Sequence, residues 1–443
     1  MAGEKEPPSG MGVLFLVVLI DLIGFTLVIP FLTYFVQDLA TGDGFTEIGE
    51  RDLWVGIMLA AYTFGQFLFT PILGSLSDRM GRRPIIMFGL ISNTIFFIAF
   101  GLSGSLWFAL IVRFLAGAGN GNIAVARAYI GDISTPAQLK GRMGMIGAAF
   151  GLGFMVGPFL GGVLTDPYTN FGGVFFTTWW QNHPYFLPCL VAGVLSAISF
   201  VLAIRQLPES LPPESRTKIE SKGNFLNQIK SNLVGFRDLS ASVRILIIVN
   251  SIFLIAFTIM HTTFILFTAM PIEQGGLGFD ARSNGYIFAF VGFVGVLVQG
   301  GFMRSAFAER MDTRKMMIFG ILVCGLGLGW IPYLTPEPYI IVLLPMAFIA
   351  IGNGLFQPSQ TTLVTLEARA SKLDLGRVMG AQEGYGALSR IVGPILAAFV
   401  WAETVNGSGF WTYHTVFRLS CFLTIVAVVA QISLKLNSIQ EDE

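Results

Sequence analysis

The sequence predicts an all-α membrane protein with twelve transmembrane helices in two pseudo-symmetric six-helix bundles. Three observations carry this. Of 443 residues, 53% are hydrophobic and 12% charged, about half the charged share of a soluble domain. Twelve apolar runs lie along the chain, each close to the roughly 20 residues a helix needs to cross a bilayer. A polar stretch from Arg205 to Arg244 divides them six and six, and motifs of the first half recur in the second. The 52 glycines fit this class, because small residues let membrane helices approach closely.

The head, residues 1–10, is polar with two prolines and is expected to be a disordered tail. The first bundle, 11–204, holds runs Met11–Gln37, Leu53–Leu73, Pro84–Leu102, Ser105–Ala128, Gly141–Leu164 and Pro184–Ile204. The linker, 205–244, opens on Leu207-Pro-Glu-Ser210 and Pro212-Pro213, which stop a helix. Within it Phe225, Ile229, Leu233 and Phe236 recur at helical spacing beside Lys230 and Arg237, predicting a short amphipathic helix on the inner membrane face. The second bundle, 245–434, holds Ile245–Met270, Gly285–Met303, Met316–Leu334, Tyr339–Leu363, Val378–Trp401 and Thr415–Leu434, followed by a tail, 435–443. The first run is too long for a signal peptide and lacks a small-residue cleavage site, so it counts as helix one.

Orientation follows from lysine and arginine. Of the 27, only Arg51, Arg282 and Arg418 fall on one side, and Arg113, Arg127 and Arg390 lie inside runs. The rest share a side with Asp78, which places that side and both termini in the cytoplasm. The first external loop, Asp38–Asp52, is acidic, and Asn406-Gly-Ser408 forms a glycosylation sequon in another. A plasma (inner) membrane location is expected.

The halves repeat. Gly157-Pro158 in run five has a counterpart in Gly393-Pro394 of run eleven, and Gly119-Asn120-Gly121 in run four one in Gly352-Asn353-Gly354 of run ten. Two such halves about an axis along the membrane normal imply a substrate site between them at midplane.

Between runs two and three stand Gly74-Ser-Leu-Ser-Asp78-Arg79-Met-Gly81-Arg82-Arg83. So charged a stretch must lie outside hydrocarbon. Gly81 permits a tight turn, and Asp78 has arginines or a helix N-terminus to accept from. The pattern Gly-x-x-x-Asp-Arg-x-Gly-Arg-Arg resembles the loop between helices two and three of major facilitator superfamily transporters. The resemblance implies rocking-type alternating access, with this loop latching the halves when the protein is open outward. Arg127 and Asp132 are expected to form the end of helix four and its gate against the loop.

Run five carries Gly144, Gly153, Gly157-Pro158 and Gly161-Gly162. Glycines at this spacing flatten one helix face, and Pro158 permits a bend. The pattern resembles the run-five signature of facilitator antiporters. In run eleven, Glu383 and Ser389 stand where run five has Gly147 and Gly153.

Asp21 lies ten residues into run one, ~15 Å deep at 1.5 Å per residue. A carboxylate there costs roughly 2.5–3.5 kcal/mol on insertion scales, so it is expected to face a cavity and carry a proton, or else to tie helices together. Asp21-Leu-Ile-Gly24 followed by Pro30 resembles tetracycline–proton antiporters, although Leu32-Thr33 replace the second proline those often have. Arg113, with Gly117 and Gly121, resembles the span-four signature of proton-coupled members. The guanidinium stays charged and needs a counter-ion. Asp21 is one candidate, and snorkelling toward the external end is the alternative. Glu383 is the second proton-site candidate, or a gate residue. It stands seven residues from Arg390, ~10 Å along the axis and too far for a direct bond.

Gln66, Asn120, Asn250, His261, Asn353, Gln357 and Arg390 are the candidate cavity residues, polar groups among apolar ones that suit an amphipathic organic solute. There is no nucleophile–base set, phosphate loop or nucleotide motif, so the chain is read as a non-enzyme driven by an ion gradient. No cofactor and no metal are expected, and Cys189, Cys324 and Cys421 lack paired spacing. No basic domain points to nucleic acid. The partners are a small organic solute, protons and membrane lipid, and the family resemblance implies a monomer. The reading is a proton-coupled antiporter exporting small amphipathic or lipophilic solutes. The alternatives are a symporter or uniporter for a metabolite, and a lipid transporter or receptor on the same fold.

Overall fold

Pro30, Gly81 and the Asn120-Gly121 pair decide where the predicted runs break. The computed structural model describes residues 10–216, 235–305, 308, 310–373 and 375–434. Within them are twelve helices long and apolar enough to cross a membrane, so the chain is an integral multi-pass membrane protein. Helix α1 (Gly10–Leu27) continues as Ile29–Gly42 after a break at Val28, with Pro30 in the first turn of the second segment. Proline there removes a hydrogen bond that a continuous helix would need. Helix α2 (Ile48–Met80) and α3 (Arg82–Gly101) are parted by Gly81 alone. Its φ of 108° is open to glycine and strained for other residues. The predicted ten-residue loop is thus one residue long, and Gly74 to Met80 continue α2.

Helix α4 (Leu106–Ile133) bends at Asn120 and Gly121. Then come α5 (Pro136–Leu164), α6 (Phe186–Gln206), α7 (Ala241–Ala269) and α8 (Ala281–Arg304). The second half closes with α9 (Thr313–Tyr333), α10 (Ile340–Ala370), α11 (Leu375–Thr404) and α12 (Thr415–Ser433). The amphipathic linker helix expected through Phe225, Ile229 and Leu233 lies outside the described residues, as do the tails beyond Gly10 and Leu434. Phe236 is described, and its ring lies 4.7 Å from that of Tyr385 on α11.

The halves meet through two symmetry-related pairs, α2 with α11 and α5 with α8. Their closeness is graded along the helices. At the face opposite Asp78, the far face, a methyl added to Gly49 would lie 2.7 Å from the Ala402 carbonyl, and one on Gly162 2.9 Å from the Gly285 Cα. Such spacing admits only hydrogen, so backbones touch. Halfway down, a methyl on Gly151 would meet Val296 at 2.8 Å. Toward the Asp78 face one on Gly144 would reach only Arg304, at 3.5 Å, and those on Gly74 and Gly147 nothing within 4 Å.

The apolar cores repeat this gradient. Leu27 to Ala40, Val55 and Met58 join one cluster with the second half, from Leu239 to Leu434. Leu14, Val17, Leu22, Leu73, Ile86 and Tyr129, nearer Asp78, form a separate cluster of the first half alone. Among the described residues the halves are therefore sealed together at the far face and packed more openly at the Asp78 face.

Candidate functional site

Asp21 is a buried carboxylate of the first half, 2% exposed in α1. The Asn93 side-chain amide of α3 donates to its carboxylate. Asn122, just past the bend of α4, stands beside it as well, with amide atoms that make no hydrogen bond of good geometry among the described residues. Both neighbours are neutral, and no ion pair forms at Asp21 among the described residues. The carboxylate faces the interior of the first bundle, away from lipid, and it does not open on the cleft between halves as its apolar run suggested.

Arg113 is 5% exposed in α4. Its guanidinium carbon lies 4.9 Å from the Tyr62 ring and 5.2 Å from that of Phe100. Its Nε has no hydrogen-bond partner, and no carboxylate pairs with it among the described residues. Both sequence alternatives fail: it neither pairs with Asp21 nor snorkels outward. Tyr62 of α2 and Phe100 of α3 are what the guanidinium meets where a carboxylate was expected. Cation–π contact replaces the counter-ion. The Asn120 amide donates to the Tyr62 hydroxyl at 2.7 Å, Gln66 approaches the same oxygen at 3.5 Å, and Phe25 stacks on the ring at 5.3 Å. Buried carboxylate, tyrosine and unpaired guanidinium thus form one cluster across α1, α2, α3 and α4.

Glu383 is a different object. Its side chain is 64% exposed on α11, with Arg127 of α4 at 3.3 Å and Arg390 at 3.9 Å. The long arginine side chain spans the two turns that had looked too wide. Arg127 accordingly reaches across to the second half and does not pair with Asp132. Elsewhere, Thr63 of α2 donates to the Arg390 carbonyl at 3.3 Å. Asn250 is buried near the Arg390 side chain, around Gly386. His261 meets Phe288 edge-on at 5.6 Å, and Asn353 and Gln357 are half-buried on α10. The cavity candidates therefore divide, with Gln66 and Asn120 in the Tyr62 cluster, Asn250 and Arg390 on the α7–α11 wall, and the remainder on α7 and α10.

The sequence model of the Major Facilitator Superfamily matches residues 14–394. The chain belongs to this superfamily. It is similar to the class E tetracycline resistance protein of Escherichia coli, 24% identical over 416 residues, 93% of this chain and 92% of that one. It is similar also to ZINC INDUCED FACILITATOR-LIKE 1 of Arabidopsis thaliana, 27% identical over 412 residues, 86% and 82% of the two chains. The crystal structure of the human organic anion transporter MFSD10 aligns with a TM-score of 0.63 at 23% identity, covering 94% and 98%. That of a D-xylose-proton symporter aligns at 0.72 and 13%, covering 97% and 98%. At these identities the structures show the fold.

In this facilitator the signature glycines of α5 do two jobs. Gly153 and Gly157 seat α5 on α1, with added methyls 2.8 Å from Leu22 Cβ and the Ile23 carbonyl, and Gly162 seats it on α8. Pro158 lies inside the helix, its carbonyl facing Gly285. Gly161 packs against Leu27 of α1. The Asp78 motif is engaged within its own half. The Arg82 guanidinium donates to Asp78 at 2.5 Å, Asp132 at 3.0 Å and Ser77 at 2.7 Å. Glu209, not Asp78, takes the α3 N-terminus, accepting from the Arg82 and Arg83 amides at 2.8 and 3.2 Å; anions are favoured there. The Arg83 side chain donates to the Ile204 carbonyl of α6, and Arg79 is exposed.

Tyr62, Asn93, Asn122 and Glu209 escaped sequence reading. An asparagine inside an apolar run, as at 93 and 122, is the signal that was available for two of them. Asp52 escaped too, because it sits at a run's edge and looks like loop.

Proposed function

We propose that the protein is a proton-driven antiporter that exports small amphipathic or lipophilic organic solutes by alternating access, with the Asp78 face and both termini in the cytoplasm of a plasma-membrane-bounded cell. One observation carries the reading: a buried carboxylate that accepts from a neutral amide shares the first bundle with a buried arginine that no carboxylate pairs with among the described residues. A charge pattern this costly in lipid is retained for ion movement. When Asp21 takes a proton, the cluster keeps only the Arg113 charge. When it releases the proton, the bundle holds both charges, and it is biased toward a different packing. Glu383, bridged to Arg127 across the parted face, serves as a rim residue of the cleft.

The motif glycines support the alternation. Among the described residues, methyls added to Gly74 and Gly147 would meet nothing within 4 Å, which suits surfaces that close on the other half once the far face opens. The relatives named for tetracycline resistance support an organic solute and an outward direction. The experiment is a purified protein in liposomes with a trapped pH dye, challenged with candidate solutes. Antiport moves protons opposite to the solute, a symporter moves them with it, and a uniporter leaves the dye unchanged. A panel of cationic, zwitterionic and anionic amphiphiles narrows the class.

A further inference from the structure

Asp52, near the start of α2, is a second buried carboxylate that the proposed coupling cluster does not use. It is 2% exposed and lies on the sealed far face. Three donors from different parts of the chain converge on it: Gln37 of α1 at 2.7 Å, Arg51 at 3.1 Å, and the Trp401 indole of α11 at 2.9 Å. The third bond crosses between halves. It lies beside the closest backbone approach of that face, where Gly49 meets Ala402 and Gly56 packs on Pro394 and Ala398. Trp401 is fully buried, so its N–H has no water to turn to.

We infer that Asp52 is a proton-sensitive clasp: while ionised it holds α2 to α11 and keeps the far face shut, and a proton taken from far-side water releases it. A charged acceptor makes a hydrogen bond about twice as strong as a neutral one. Protonation therefore weakens the indole bond and the pull of Arg51 together, and the proton from water is the only group transferred. Arg51, on its own helix and 29% exposed, is the charged group facing Asp52 and marks the route from the surface. The partners from α1 and α11, Gln37 and Trp401, are neutral. The next charged groups along those elements are Asp38, occupied by the Tyr185 hydroxyl at 2.7 Å, and Glu403, which is exposed. The inference rests on the alternating-access part of the function proposed above and not on its proton-antiport part.

The test places a cysteine at Ala398, sealed in the present state, and labels it from the far side with an impermeant maleimide, counted against the same chain without that cysteine. In the otherwise unchanged protein, labelling is expected to rise about tenfold as far-side pH falls from 7.5 to 5.5, tenfold corresponding to about 1.4 kcal/mol. With Asp52→Asn, a neutral stand-in for the protonated acid, labelling is expected to be high at both pH values. With Trp401→Phe it is expected to be raised at pH 7.5. An unaltered pH response in Asp52→Asn overturns the clasp. Should that variant not reach the membrane, wild-type labelling of Trp401→Phe at pH 7.5 overturns it equally. Asp21→Asn separates the two proposals, because it is expected to keep the pH-dependent labelling whether or not Asp21 carries the transported proton.

Discussion

Asp21 and Glu383 are both carboxylates in long apolar runs, and the structure treats them oppositely. Asp21 is 2% exposed, between asparagines. Glu383 is 64% exposed, between arginines. The difference lies in what each helix packs on. Helix α1 is wrapped by α5 and α6 of its own half, so a side chain turned inward there is shut in. Glu383 lies near the start of α11, on the side where the halves part, and its side chain emerges at the rim. Hydropathy reads both as intramembrane charges. Only packing separates a charge shut in a bundle from one at the lip of a cleft.

Several variants break or sharpen this contrast. Asp21→Asn has the largest expected effect, a loss of proton-driven solute accumulation by more than about 100-fold, equivalent to at least ~2.7 kcal/mol of coupling. Arg113→Leu comes next, with a loss of about tenfold or more. Its thermal midpoint is expected to stay level or rise, because an unpaired buried charge is replaced by an apolar group. A fall of several degrees would mean that Arg113 is held by structure rather than kept for transport. Asn93→Ala removes a hydrogen bond to a charged group, worth roughly 1.5–3 kcal/mol. Proton-driven rates in liposomes are expected to drop about tenfold. Glu383→Gln has the smallest effect, under about threefold, because exposed ion pairs contribute ~0.2–1 kcal/mol. If Glu383→Gln instead matched Asp21→Asn, the rim carboxylate would be a coupling site and the contrast would collapse.

Much of the architecture was legible in the sequence, because apolar length and the positions of Gly81 and Pro30 are local signals. Twelve runs became twelve helices, and the glycine repeat of run five became packing surface on α1 and α8. What stayed hidden was pairing. The Asn93–Asp21 bond joins residues 72 apart, and the Trp401–Asp52 bond residues 349 apart. No periodicity within one helix announces which neighbour a polar side chain will meet. For the same reason Asp21 stood as one candidate counter-ion for Arg113: nothing in either run revealed that the guanidinium meets the Tyr62 and Phe100 rings instead. The Asp78 motif was legible as a turn and Asp132 as a residue set against it, but the capping Glu209 was not, since it comes from another segment.

The central claim is that the first bundle, through Asp21, binds the proton that drives transport. The most direct measurement is the pH change inside liposomes holding Asp21→Asn protein when solute is added, run beside solute-for-solute exchange in the same vesicles. The account expects exchange at near wild-type rates with no proton movement. Solute-induced proton flux at the wild-type level in that variant would contradict it.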